Sequence, residues 1–271
     1  MATSAPPISE LKQKMKAVWM AGDFGKVAPL IQVEANAFVA RLELKPGMKV
    51  LDVGCGTGNQ SVPAARAGVE VTAVDIAPNL LVQAAARAQQ ERLNIDLREA
   101  DAEELPFNDG EFDVVLSMFA AMFAPRPQMA AAAMCRVCKS GGLIAMANWT
   151  PDSFVGEQMK ITSRYGPPPP GLESPMLWGD ETVVRGRFGS NVALTTAKRT
   201  VTFDIPTGPS ETEAHFRQHI GPTQVIMRQL DAERQQALIG ELAAHWARHN
   251  RGGDQRTLVH AEYLEVYARP D

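Results

Sequence analysis

Three glycines spaced two apart, straight after a short apolar run that carries an acid, constrain this chain more than any other feature. Val50-Leu51-Asp52-Val53 leads into Gly54-Cys55-Gly56-Thr57-Gly58-Asn59. A short apolar run with β-branched residues at both ends reads as a strand buried on both faces, as in a parallel sheet. Glycines at its end let the backbone take left-handed angles and let a ligand approach the main chain. The sequence therefore predicts a strand that turns sharply into a helix, with the Asp52 carboxylate at the tip, suited to a positively charged ligand group.

Val71-Thr72-Ala73-Val74-Asp75 is a second short apolar strand ending in an acid. An acid about 20 residues after a glycine-rich turn commonly binds the two ribose hydroxyls of a nucleoside in a doubly wound fold. Asp75 stands in that place. The dinucleotide fingerprint is G-x-G-x-x-G, whose last glycine serves helix packing beside a pyrophosphate. Here Gly58 comes one place early and Asn59 follows.

Around this turn the pattern alternates between strand and helix. Helices are expected over 9–20 and 27–42, then strand 49–53, helix 59–67 stopped by Gly68, and strand 70–74. A helix opening near Pro78, strand 95–99, strand 113–119, helix 128–137 and strand 143–149 complete the run. Such alternation implies a parallel sheet with helices on both faces, and ligands there bind at the carboxyl ends of the strands. Pro167-Pro168-Pro169-Pro170 reads as a stiff extended piece. Residues 191–204 alternate like a strand with a bend near Ala197-Lys198-Arg199, 210–249 read as a helical insert, and 257–268 as a closing strand.

Further segments extend the pattern. Ala100-Asp101-Ala102-Glu103-Glu104-Leu105-Pro106-Phe107 follows the third strand, Phe112-Asp113-Val114-Val115-Leu116-Ser117 forms the fourth, and Arg136-Val137-Cys138-Lys139-Ser140-Gly141-Gly142 precedes the fifth. Together these residues resemble the class I S-adenosylmethionine (SAM) dependent methyltransferases, closely over 45–149, and are similar to the branch that holds ubiquinone and menaquinone C-methyltransferases. The resemblance implies a doubly wound, Rossmann-like α/β fold: a mostly parallel seven-stranded sheet with an antiparallel edge and a mainly helical lid. One domain is expected, with 1–44 as an N-terminal helical lid, 45–150 as the SAM-binding core, 151–190 as a lid insert and 191–271 as edge strands around the insert 210–250. The implied cofactor residues are Asp52, Gly54, Cys55, Gly56 and Asn59, then Asp75 on the ribose with Ile76 after it, Asp101, Ala102 and Glu103 in the adenine loop, and Ser117, whose backbone carbonyl faces the methionine ammonium group in that family.

A net charge of −4 and the lack of any Lys/Arg run leave no electrostatic footprint for nucleic acid. Three cysteines without a secretory signal suggest a reducing, cytoplasmic setting. No apolar run reaches the roughly 20 residues needed to span a bilayer.

Cys135 and Cys138 form a lone C-x-x-C pair at a helix end, which reads as structural rather than as a zinc site. His215/His219 and His245/His249 each place two rings on one helix face. They read as solvated helix histidines, with metal binding or general-base duty as the alternative. Strand four is followed by Met118, Phe119, Met122 and Phe123, an adaptable apolar wall that Met176, Leu177 and Trp178 would extend. No Asp-Pro-Pro-Tyr, Pro-Cys or magnesium-binding acids follow that strand, so the expected acceptor is a small, substantially apolar molecule, with no metal. A nicotinamide oxidoreductase, a non-catalytic SAM-binding protein and a SAM enzyme acting on lipid chains remain as alternatives from sequence.

Overall fold

The computed structural model describes residues 7–271; the reading of the first six residues lies outside them. In chain order the elements are α1 (Ile8–Met20), α2 (Gln32–Arg41), β1 (Lys49–Val53), α3 (Ser61–Arg66), β2 (Glu70–Asp75), α4 (Pro78–Gln90), β3 (Ile95–Glu99), β4 (Phe112–Met118), α5 (Pro127–Val137) and β5 (Cys138–Trp149). There follow α6 (Phe154–Tyr165), α7 (Glu181–Phe188), β6 (Val192–Ile205), α8 (Pro209–His219), α9 (Gly221–Gln229), α10 (Ala232–His249) and β7 (Thr257–Pro270).

The strands form one sheet in the order β3-β2-β1-β4-β5-β7-β6. β1 to β5 pair in parallel, and β7 runs antiparallel to both β5 and β6. The chain winds outward from β1 to β3, then returns to lay β4 on the other side of β1. That reversal opens a crevice between the carboxyl ends of β1 and β4, where ligands of open α/β sheets bind. Val50, Leu51 and Val53 on β1 and Val115 and Leu116 on β4 are completely buried, as a strand covered by helices on both faces requires.

Local chemistry explains the differences from the sequence reading. The helix expected over 27–42 is split: short 3-10 turns cover Phe24–Lys26 and Ala28–Ile31, and α2 begins only at Gln32. Pro29 lacks an N–H, and Ile31 leaves helical geometry at φ −111°, ψ 6°. β5 starts at Cys138 rather than 143, because the glycine turn after α5 is absorbed in an irregularity opposite Phe112 and Val114. The bend expected in β6 is absent: its pairing with β7 runs without a shift from Val192↔Pro270 to Ile205↔Thr257, and Arg199 is held by Glu265 at 2.9 Å. Residues 151–190 contain α6 and α7, two helices not expected there, and the proline run lies between α6 and the 3-10 turn Pro175–Gly179. Among the described residues no helix is long and apolar enough to cross a membrane.

Candidate active site

The glycine turn is pinned to the end of β2. The backbone N–H groups of Gly54 and Cys55 both donate to the Val74 carbonyl, at 2.8 and 2.9 Å. Gly54 has φ +74°, and a Cβ built on it would lie 2.3 Å from the Ala120 Cβ. Only glycine lets β1 and the turn after β4 approach this closely. Gly56 (φ +53°) differs: a Cβ there would meet no protein atom within 4 Å. Its N–H donates to Asp75 Oδ2 at 2.8 Å, while Asp75 Oδ1 accepts the Ala77 N–H at 2.8 Å. Burial pushes the Asp75 carboxyl up, opposed by these backbone donors. Two acceptor positions on the carboxylate remain for a ligand, since an ionised carboxylate has about four.

Asp52 is fully buried beneath the turn. Its Oδ2 accepts the Ser61 hydroxyl at 2.5 Å, and its Oδ1 has no partner. Burial pushes this carboxyl up to about 7, the Ser61 hydrogen bond opposing and the nearby Asp75 charge adding to the rise. A buried oxygen left without a donor is unusual. Ser117 donates to the Val53 carbonyl at 2.7 Å and accepts the Ala121 N–H at 3.0 Å, tying the tip of β1 to the turn after β4.

The loop after β3 is fastened by a residue that sequence reasoning missed. Lys12 of α1 pairs with Asp101 at 2.6 Å, Glu104 at 2.8 Å and Glu103 at 2.9 Å. Asp101 also accepts the Glu103 N–H at 2.9 Å, and Glu103 holds Arg126 at 2.7 Å. Asn59 bridges lid and core, donating to the Ala28 carbonyl and accepting from Arg87, whose guanidinium also reaches the Thr57 carbonyl and Gln32.

These residues border a cavity of about 490 Å³. Gly54, Cys55, Gly56, Asn59, Asp75, Ile76, Asp101 and Ala102 line one end of it; Asp52, Glu103 and Ser117 stand outside the lining. The other end is aromatic. Phe119 stacks on Trp149 with ring centres 3.6 Å apart, Trp19 meets Phe123 edge-on at 5.0 Å, and Phe154 meets Trp246 at 4.6 Å. Phe119 holds φ +57°, a strained value for a side-chain-bearing residue, fixed by its N–H bond to the Ala147 carbonyl and by its stack on Trp149. Among the described residues the only ionisable side chains on the lining are Lys12, Cys55, Asp75 and Asp101, all at or beside the glycine-turn end. Burial pushes the Cys55 thiol well up, so it stays protonated.

The apolar wall is built otherwise than the sequence suggested. Met118, Phe119 and Phe123 line the cavity, but Met122, Met176, Leu177 and Trp178 do not; α1, α6, β6, α8, α9 and α10 add to it, among them Trp19, Met159, Phe203, Phe216, Ile226 and Trp246. Among the described residues no histidine lines it. His245 is not solvated: it is buried, stacked on Phe154 at 4.6 Å, with Nε2 2.9 Å from the Phe154 carbonyl. Burial lowers its pKa, which keeps the ring neutral. His249 sits 2.9 Å from Glu157. Cys135 and Cys138 are free thiols, both pushed up by burial.

Comparison with known proteins matches residues 51–146 to the family described as "Methyltransferase domain". Rv1403c of Mycobacterium tuberculosis, named as an uncharacterized protein, is 40% identical over 210 residues, covering 76% of this chain and 77% of its own length. A demethylmenaquinone methyltransferase of Renibacterium salmoninarum is 39% identical over 109 residues, covering 40% of this chain and 44% of its own. The chain belongs to the class I SAM-dependent methyltransferases. Its cofactor is S-adenosylmethionine, which decides against the nicotinamide alternative. The crystal structure of YcgJ from Bacillus subtilis shares the fold of this methyltransferase, with a TM-score of 0.60 at 17% identity, covering 88% of this chain and 98% of that one. The residues present fit the cofactor of a SAM-dependent methyltransferase: the open face of Gly56 and the spare acceptor positions of Asp75 lie at one end of the cavity, with the Asp52 carboxylate buried beneath the turn.

Proposed function

We propose that this methyltransferase acts on a small, largely apolar acceptor seated at the aromatic end of the cavity, beside a cofactor held at the glycine-turn end. One observation carries the reading: the acceptor end is walled mainly by aromatic and aliphatic side chains, with Gln158, Thr162 and Thr223 as uncharged polar groups, and offers no ionisable group among the described residues. A charged metabolite or a nucleic acid phosphate there would lose hydration with nothing to replace it. The name of the demethylmenaquinone methyltransferase relative is in keeping with an apolar acceptor.

At the cofactor end we assign Asp75 to the ribose hydroxyls, with Ile76 packed beside the nucleoside, and Asp101 with the backbone of Ala102 to the adenine edge. Gly54, Cys55 and Gly56 give main-chain approach, Asn59 holds the turn to the lid, and Asp52 balances the methionine ammonium group. Glu103 and Ser117 act at one remove, Glu103 by holding Lys12 and Arg126 beside Asp101, and Ser117 by bracing the tips of β1 and β4.

Bound SAM supplies an electrophilic methyl on a sulfonium, open to in-line displacement. The protein contributes alignment, worth roughly 7–11 kcal/mol when reactants are well oriented, and an enclosure that excludes water. No lining residue at the acceptor end can remove a proton, so the acceptor must present its nucleophile unaided. A reducing, cytoplasmic setting belongs to this reading, in keeping with the three free thiols.

Labelled SAM offered with lipophilic phenols, reduced quinones and aromatic amines, alongside polar amines and nucleic acid, tests the assignment. Methylation confined to the first group is expected. Turnover of only the polar acceptors overturns it.

A further inference from the structure

The aromatic end of the cavity contains one side-chain oxygen that the protein leaves without a partner. Gln158 lies on α6 and lines the cavity, and its Oε1 is buried with no hydrogen-bond donor in reach. Its neighbours on the same face of the helix, Val155 and Met159, are apolar. Thr162, one turn further on, uses its hydroxyl within the helix, donating to the backbone carbonyls of Gln158 at 3.2 Å and Met159 at 3.1 Å. α6 packs against α9 and α10, which bring Ile226 and Trp246 to the same lining. Thr223 of α9 also lines the cavity, so the Gln158 amide is one of few polar groups in a mostly apolar wall, and the one whose oxygen is buried without a partner. A buried acceptor without a donor destabilises the free protein, and such groups persist where a ligand completes them.

We propose that Gln158 orients the acceptor by hydrogen bonding an O–H or N–H carried on an otherwise apolar ring. The inference rests on the apolar-acceptor reading above and narrows it to hydroxy- or amino-substituted aromatics, as against plain hydrocarbons. Oε1 itself is closed off from the open cavity; the terminal amide torsion is soft, so rotation about it is the movement that would present Oε1 to an acceptor without repacking α6. An amide takes up no proton at ordinary pH, so Gln158 sets the pose of the ring and leaves the ionisation of the acceptor alone. A site built to bond such a group rejects the analogue that lacks it.

The test uses the full chain saturated with S-adenosylhomocysteine and compares 2-naphthol with 2-methylnaphthalene by equilibrium dialysis. The unmodified protein is expected to bind 2-naphthol about tenfold more tightly, a typical net value for one hydrogen bond. Gln158→Leu and Gln158→Met should bind both probes alike, keep their affinity for S-adenosylhomocysteine and melt no lower than the parent. Equal binding of the two probes by the parent, or a preference that survives in the variants, overturns the proposal while leaving the apolar chamber intact. Binding of neither probe overturns the chamber reading and this one with it. Loss of folding in both variants gives the amide a structural duty and also overturns it.

Discussion

The backbone N–H of Gly56 donates to Asp75 Oδ2 at 2.8 Å, so the carboxylate that ends β2 also holds the glycine turn that follows β1. Asp75 therefore braces the turn, in addition to the ribose contact proposed for it above. Asp75→Ala is expected to weaken SAM binding by about 1–3 kcal/mol, the value of charge-assisted hydrogen bonds lost to a hydroxyl pair. Titration calorimetry on the folded variant measures it; an affinity equal to the parent's would remove Asp75 from the site.

Asp52 is the site's titrating group near neutrality, pushed up to about 7 by burial. In the free protein at pH 6 it carries a proton, and a ligand ammonium nearby favours the carboxylate. SAM binding at pH 6 should release up to about one proton, and none at pH 9, because a shifted pKa on binding is proton linkage. Calorimetry in buffers of different ionisation enthalpy reads the release, and Asp52→Asn should abolish it. Stability follows the same sign. An acid whose folded pKa is raised stabilises below its unfolded value, about 3.9, and this contribution is lost as pH climbs to about 7. Thermal melts of the parent should fall over that window relative to Asp52→Asn; parallel curves would place the ionisation elsewhere.

The two glycines should separate folding from binding. Gly54→Ala puts a methyl 2.3 Å from Ala120 at φ +74° and is expected to cost about 2–4 kcal/mol of stability through overpacking and backbone strain. Ala120→Gly should restore part of that loss. Gly56→Ala, with open space at its Cβ, should cost only about 1–2 kcal/mol of folding, its larger effect falling on SAM affinity. Urea melts paired with calorimetry distinguish them, and a Gly56→Ala variant with full affinity would mean that no ligand uses the open face.

How much of this was legible in the chain depends on how local each cause is. The turn after β1, Asp75 and the loop at Asp101 were legible because each rests on a spacing of a few residues read against one strand. Lys12 was not: a lysine on an amphipathic helix looks solvated until the loop after β3 packs beside it. His245 on α10 was misread for the same reason, since i, i+4 spacing does not tell a wet face from a buried one; Phe154 from α6 covers its ring, while His249 stays partly exposed. Gln158 carries no motif at all. The split before α2 had a visible signal in Pro29, outweighed in the reading by the apolar period around it.

Buried and neutral, His245 should matter to folding rather than to cofactor binding. His245→Ala removes a ring stacked on Phe154 and is expected to cost about 2–4 kcal/mol, as large-to-small core changes do, with SAM affinity unchanged. Burial lowers the pKa of this base, so its contribution to stability is complete above the unfolded value, about 6.5, and is lost as pH falls below it. Melts of parent and variant should therefore converge toward acid. A divergence would mean that the ring is charged in the folded state.

The pH profile of turnover provides the sharpest check on the chemistry. With no base on the acceptor end of the lining, the rate at saturating SAM should track the ionisation of whichever acceptor is used. Two phenolic acceptors whose own pKa values differ by about 2 units should give kcat profiles displaced by a similar amount, since no protein group then controls the proton. Asp52→Asn should shift the profile for SAM binding and leave that for kcat in place, because Asp52 lies beneath the glycine turn, away from the aromatic end. An inflection in kcat at one fixed pH for both acceptors would reveal a protein base, and its disappearance in a His245 or Asp75 variant would name the residue.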